Sequence, residues 1–117
     1  MIIVVAALGF ETEADRDHAV AITRDVQAAT REEEAGCHAY CFAPDPVVPT
    51  RIQVYELWED SAALAAHFEH HTYHQMVALL GSANIKESIN RAYLTERSEP
   101  VYGPNGERSC LRGSTSP

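Results

Sequence analysis

An α+β domain, with one four-stranded antiparallel sheet and helices on one face, is the fold class this sequence predicts, on three observations. Residues 2–8 are apolar on both alternating sets, Ile2, Val4, Ala6 and Leu8 against Ile3, Val5 and Ala7, and are rich in β-branched side chains. Residues 51–59 alternate with period two, placing Ile52, Val54, Glu56 and Trp58 on one face. Ala19, Ile22, Val26 and Ala29, and later an alanine-rich run at 62–66, carry helical spacing and propensity.

The elements follow in order. Residues 2–8 form a strand buried on both faces and closed by Gly9. Thr12 and Asp15 open a helix over 13–34, with Glu13 and Asp15 favourable in its first turn and Gly36 at its end. Glu32, Glu33 and Glu34 oppose the macrodipole at that end, which predicts a frayed, solvated last turn. Residues 37–42 suit a second strand, whereas Pro44, Pro46 and Pro49 turn 43–49 into a loop. After the strand at 51–59, Asp60 or Ser61 caps a helix that breaks near His71 and Thr72. Thr72 then caps a short helix running through Met76, Leu79 and Leu80 to Gly81. A last strand lies within 85–97, best over 88–97. The order β-α-β-β-α-β is that of a ferredoxin-like split β-α-β sheet. Residues 1–97 make this domain. Residues 98–117, with Pro100, Gly103, Pro104, Gly106, Gly113 and Pro117, form a C-terminal tail without a core of its own.

The chain has 117 residues and a net charge of −8, enough length for one core and too little for two. Its basic side chains are scattered singly, so phosphate backbones and anionic lipid are excluded as partners. The apolar run 1–8 is too short to span a bilayer and has no basic residue before it, which predicts a cytoplasmic protein. Three cysteines are an odd number, and Cys37 and Cys41 lie four apart in a strand, so reduced thiols are expected. A first strand apolar on both faces, with helices available for only one, predicts a homodimer packed sheet to sheet.

Four of six histidines, His67, His70, His71 and His74, fall within eight residues. The pairs His67/His71 and His70/His74 have the i, i+4 spacing of helical metal ligands. A zincin motif needs glutamate directly after the first histidine, but Glu69 comes one place late, and the break near Thr72 separates the pairs. No native metal site is expected. Glu56 shares a strand face with the single tryptophan, Trp58, and must be hydrogen-bonded or paired if buried, with His67 as a structural partner. Tyr40, Tyr55 and Tyr93 either line a cavity or pack at an interface. No phosphate loop, nucleophile elbow or dinucleotide fingerprint occurs, so no bound nucleotide cofactor is expected.

The stretch Tyr55-Glu-Leu-Trp-Glu-Asp-Ser-Ala-Ala-Leu-Ala-Ala-His67, followed by Thr72-Tyr-His74, resembles the antibiotic biosynthesis monooxygenase family. Members carry a strand Glu-x-Trp, an alanine-rich helix ending in histidine, and a Thr-Pro-His or similar turn. Glu56, Trp58, His67, Thr72 and His74 match, Tyr73 stands where proline is usual, and His70 and His71 are extra. The resemblance implies a dimeric α/β barrel of two ferredoxin-like protomers, each with a pocket between sheet and helices. Relatives oxidise polycyclic phenols or anthrones to quinones with O₂ and without metal or flavin; others degrade haem or isomerise a small phosphorylated sugar. On that basis the expected function is cofactor-free oxidation of a small aromatic or quinol-type molecule (phenol, anthrone or hydroquinone). His67 or His74 would be the base and Trp58 a stacking surface, with Glu56, Asn90 and Tyr93 contacting the substrate. The alternatives are a non-catalytic dimeric barrel that binds a small ligand or serves in stress, and an isomerase or degradative enzyme acting on a small metabolite, which an inward-facing Arg91 would favour.

Overall fold

The computed structural model describes residues 1–112. Strand β1 (Ile2–Phe10) leads into helix α1 (Glu13–Glu33), then β2 (Cys37–Pro44), β3 (Arg51–Trp58), α2 (Ser61–Glu69), α3 (His71–Ser82) and β4 (Ile85–Leu94). The strands lie in the order β2-β3-β1-β4, all neighbours antiparallel. This is the ferredoxin-like sheet that the element order predicts, with its helices on one face.

Local chemistry accounts for the boundaries. The Thr12 hydroxyl accepts from the Asp15 N–H at 3.1 Å and caps α1, and the Asp60 carboxylate accepts from the Ala63 N–H at 2.9 Å and caps α2. His70, not Thr72, is the extended residue between α2 and α3, and its N–H donates to the His67 carbonyl at 3.0 Å. The kink therefore falls directly after the last turn of α2. β2 runs two residues further than the prolines suggest, because Pro44 ends an edge strand where no inward donor is required. β4 starts and stops about three residues earlier than periodicity places it.

Register decides which side chains share a face. Val4 lies opposite Glu56 and Ala92, so the row Ile2, Val4, Ala6, Leu8 joins Ile52, Val54, Glu56, Trp58 and Ser88, Asn90, Ala92 beneath the helices. Val5 lies opposite Tyr55 and Arg91, so Ile3, Val5, Ala7, Leu57, Ile89 and Tyr93 occupy the other face, which no described helix covers. The core sits under α1 and α3 around Phe10, Ile52, Tyr40 and Trp58, each at most 2% exposed. β4 contributes little to it: every residue after Ile85 in that strand is exposed.

Helix α1 also ties down the β2 edge. Gln27 accepts from the Phe42 N–H at 2.8 Å and donates to the Phe42 carbonyl at 3.3 Å, while Arg31 donates to the Tyr40 carbonyl at 2.6 Å. Side chains thus take the place of a neighbouring strand. Past Leu94 the Thr95 N–H donates to the Met1 carbonyl at 2.9 Å, and the described residues beyond form no helix or further strand, only an isolated bridge between Tyr102 and Arg108, with Val101, Tyr102 and Leu111 exposed. Residues 113–117 of the expected tail lie outside the described residues.

Gly36 is required by a close approach rather than by its dihedrals. A Cβ there would stand 2.4 Å from the Cβ of Ala63, which has no rotamer by which to move away. Gly36→Ala is expected to cost about 1–3 kcal/mol through overpacking, seen as a lower urea midpoint. Adding Ala63→Gly should recover part of that loss.

Candidate active site

A cavity of about 340 Å³ opens between the inner sheet face and helices α2 and α3. Its walls are largely aliphatic and aromatic: Val4, Ala6 and Leu8 from β1, Phe42 and Val54 from β2 and β3, and Phe68, Tyr73, Met76 and Leu80 from the helices. Polar groups enter at a few points only, namely Tyr40, Glu56, His67, Ser88, Asn90 and Arg91. That is the usual constitution of a small-molecule site.

His67 occupies the last turn of α2 and is 2% exposed. Its Nδ1 lies 2.9 and 3.1 Å from the two carboxylate oxygens of Glu34, and the Thr72 hydroxyl donates to the same carboxylate at 2.8 Å. Burial pushes the His67 pKa down, with the Glu34 hydrogen bond and charge opposing that shift, and the balance falls below the ordinary histidine value. The ring is therefore neutral at pH 7, with Nδ1–H donated to Glu34 and the lone pair on Nε2. Trp58 packs on the imidazole at a centroid distance of 4.5 Å, and Tyr40 and Tyr73 meet it edge-on at 5.5 Å each.

Glu56 is the second buried titratable group at the cavity. Its Oε1 accepts from the Trp58 indole N–H at 2.9 Å. Burial raises its pKa to about 7; the indole bond opposes the shift and the negative charge of Glu34 adds to it. Tyr40 is pushed upward too, first by burial and then by the charges of Glu56 and Glu34, so it remains a hydroxyl.

Two corrections follow for α1 and the strand pairings. The last turn of α1 is not solvated throughout: the Glu34 side chain is 9% exposed and holds His67 and Thr72. Glu34 continues the buried stripe Ala19, Thr23, Gln27 and Thr30 at steps of three and four, a signal present in the sequence and hidden by the neighbouring glutamates. Glu56 takes Trp58 rather than His67 as its partner.

The expected site residues divide. His67, Glu56 and Asn90 line one cavity. Trp58 is fully buried behind His67 and is not part of the wall, so no ligand can stack on it here. His74 is exposed on α3 and also outside the wall. Tyr93 lies in the outer-face row opposite Ile3. Arg91 shares that outer row by register and is nevertheless among the residues lining the cavity. The helical pairs His67/His71 and His70/His74 are split by the kink at His70.

Residues 1–79 match the antibiotic biosynthesis monooxygenase family. The chain belongs to that family. Among solved structures, a Deinococcus radiodurans protein assigned as an antibiotic biosynthesis monooxygenase is similar at 23% identity. Its TM-score is 0.76, covering 88% of this chain and 100% of the other. A Caulobacter crescentus protein of the same assignment shares 19% identity with TM-score 0.72, over 82% of this chain and 91% of its own. SnoaB, a cofactor-independent oxygenase from Streptomyces nogalater, shares 12% identity with TM-score 0.63, over 85% of this chain and 96% of its own. At these identities the likeness shows a common fold. No curated protein matches the chain.

Proposed function

We propose that this chain is a cofactor-independent monooxygenase that oxidises a small aromatic substrate, a phenol, anthrone or hydroquinone, with O₂. The observation that carries the reading is His67: an imidazole anchored through Nδ1 by a buried carboxylate, at the wall of a cavity lined mainly by apolar side chains. The family and the oxygenase activity named for SnoaB agree with it.

The chemistry asks little of the protein. His67 Nε2 removes a proton from the bound phenol or anthrone, and Glu34 stabilises the imidazolium that forms. The resulting anion is electron-rich enough to reduce O₂ itself. One oxygen atom ends as the new ring carbonyl and the other leaves as water, with both substrate hydrogens accounted for in that water. Asn90, and Glu56 in its protonated form, donate hydrogen bonds to the substrate oxygens. Trp58 acts from behind, holding His67 and Glu56 in place.

Oxygen uptake with a panel of anthrones and substituted phenols tests the proposal. Consumption of one O₂ per quinone formed, unaffected by chelators and added flavin, is expected. Tight ligand binding without oxygen uptake would instead make the cavity a binding pocket.

The reading includes a homodimer in the cytoplasm. The uncovered sheet face presents Ile3, Val5, Ala7 and Leu57 together with Tyr55, Ile89 and Tyr93, the last three 45–68% exposed. The three cysteines are free, as a reducing compartment keeps them. Sedimentation should give twice the 12.9 kDa chain mass, and Val5→Glu should shift it toward the single-chain value.

A further inference from the structure

We infer that Glu33, His70 and His71 form a surface site for a divalent transition-metal ion, of which zinc is the best fit. The site stands apart from the cavity and does not depend on the activity proposed for it. Glu33 closes α1, His70 is the kink residue, and His71 opens α3. The kink that splits the helical histidine pairs is what brings two consecutive imidazoles to one carboxylate. One nitrogen from each histidine and one Glu33 oxygen lie within 4.8 Å of one another.

The distances suit a tetrahedral ion. Ligand bonds of 2.0–2.1 Å place neighbouring ligand atoms about 3.3–3.4 Å apart. Glu33 Oε1 lies 2.8 Å from His71 Nε2 and 3.9 Å from His70 Nε2, so the two separations straddle that value. The two imidazoles lie with centroids 4.5 Å apart and planes 32° apart, so the rings must turn for their lone pairs to converge, and Glu33 and His71 are exposed enough to rotate. His70 is the preorganised member. Its Nδ1 lies 2.9 Å from the Thr72 hydroxyl oxygen and accepts from the Thr72 backbone N–H at 3.3 Å, which caps α3. With Nδ1 engaged by Thr72, Nε2 is the nitrogen left to face Glu33 Oε1. A ligating histidine normally has its ring orientation fixed by a hydrogen bond at the second nitrogen.

Two imidazoles and a carboxylate, with an open side for water, form a donor set that favours zinc, copper or nickel over magnesium or calcium. The ion would join the end of α1 to the start of α3, so its binding stabilises the folded chain.

Titration calorimetry of untagged, chelator-stripped protein with zinc chloride tests the site, in a Cys110→Ser background so that the exposed thiol does not compete. One ion per chain is expected, with a higher melting temperature in its presence. His71→Ala and Glu33→Gln should each weaken binding by about tenfold or more. His74→Ala, one turn further along α3, should leave binding unchanged. The assignment falls if no binding is detected with zinc in excess. It falls equally if His71→Ala and Glu33→Gln bind as the parent does, or if His74→Ala abolishes binding.

Discussion

His67→Ala will lower the rate of anthrone or phenol oxidation by about 10²–10⁴-fold, the range general-base catalysis supplies. The size of the effect follows from the surroundings of the ring. Nδ1 is committed to Glu34, so the basic lone pair can only be on Nε2, and no other side chain in the cavity wall offers a neutral base at pH 7. Exogenous imidazole should restore part of the rate in the alanine variant, which a purely structural histidine would not allow. Glu34→Gln should fall between parent and His67→Ala, because an amide no longer enforces the tautomer or stabilises the imidazolium. An undiminished rate in His67→Ala, with circular dichroism unchanged, would remove the base from the mechanism.

Glu56→Gln is expected to gain on the parent in stability as pH rises. A carboxyl whose pKa moves from 4.5 to about 7 on folding is protonated in both states at low pH and opposes folding once it must ionise in place. Its destabilisation is therefore absent below about pH 4.5, grows through the interval, and is complete above about pH 7. At full extent it amounts to about 3 kcal/mol. Of the groups facing it, the indole N–H of Trp58 does not titrate and Tyr40 remains a hydroxyl across that interval. Glutamine preserves an acceptor for the indole and cannot ionise. Urea denaturation of parent and variant at pH 5 and pH 8 should show the difference moving by most of that amount in favour of Glu56→Gln. A constant difference at the two pH values would show that Glu56 ionises in the folded chain as it does in water.

Much of the fold was legible because period and punctuation agreed. Alternation at 51–59 is the observed β3, the doubly apolar segment at 2–8 is the central strand β1, and Thr12 and Asp60 cap where their side chains predict. The family resemblance rested on Glu56, Trp58 and His67, which the structure packs in one neighbourhood. What the sequence concealed were pairings between distant elements. Glu34 looks like the third member of a solvated acidic run, and only the folded chain sets it against a histidine 33 residues away. Trp58 and Tyr93 looked like ligand contacts because aromatic rings serve either purpose. Register places one behind the cavity wall and the other on the opposite face.

The two margins of the sheet are chemically unequal. Along β2, Gln27 and Arg31 occupy main-chain groups at Tyr40 and Phe42, so an incoming peptide would have to displace a helix before it could add a strand. Along β4, the side chains from Lys86 to Leu94 are all exposed, and no described strand pairs beyond it. The protein is therefore a template with polarity, open to strand addition at β4 and closed at β2. Two copies meeting β4 to β4 would cap one another and leave only closed margins outward, so that pairing ends growth instead of seeding a fibre.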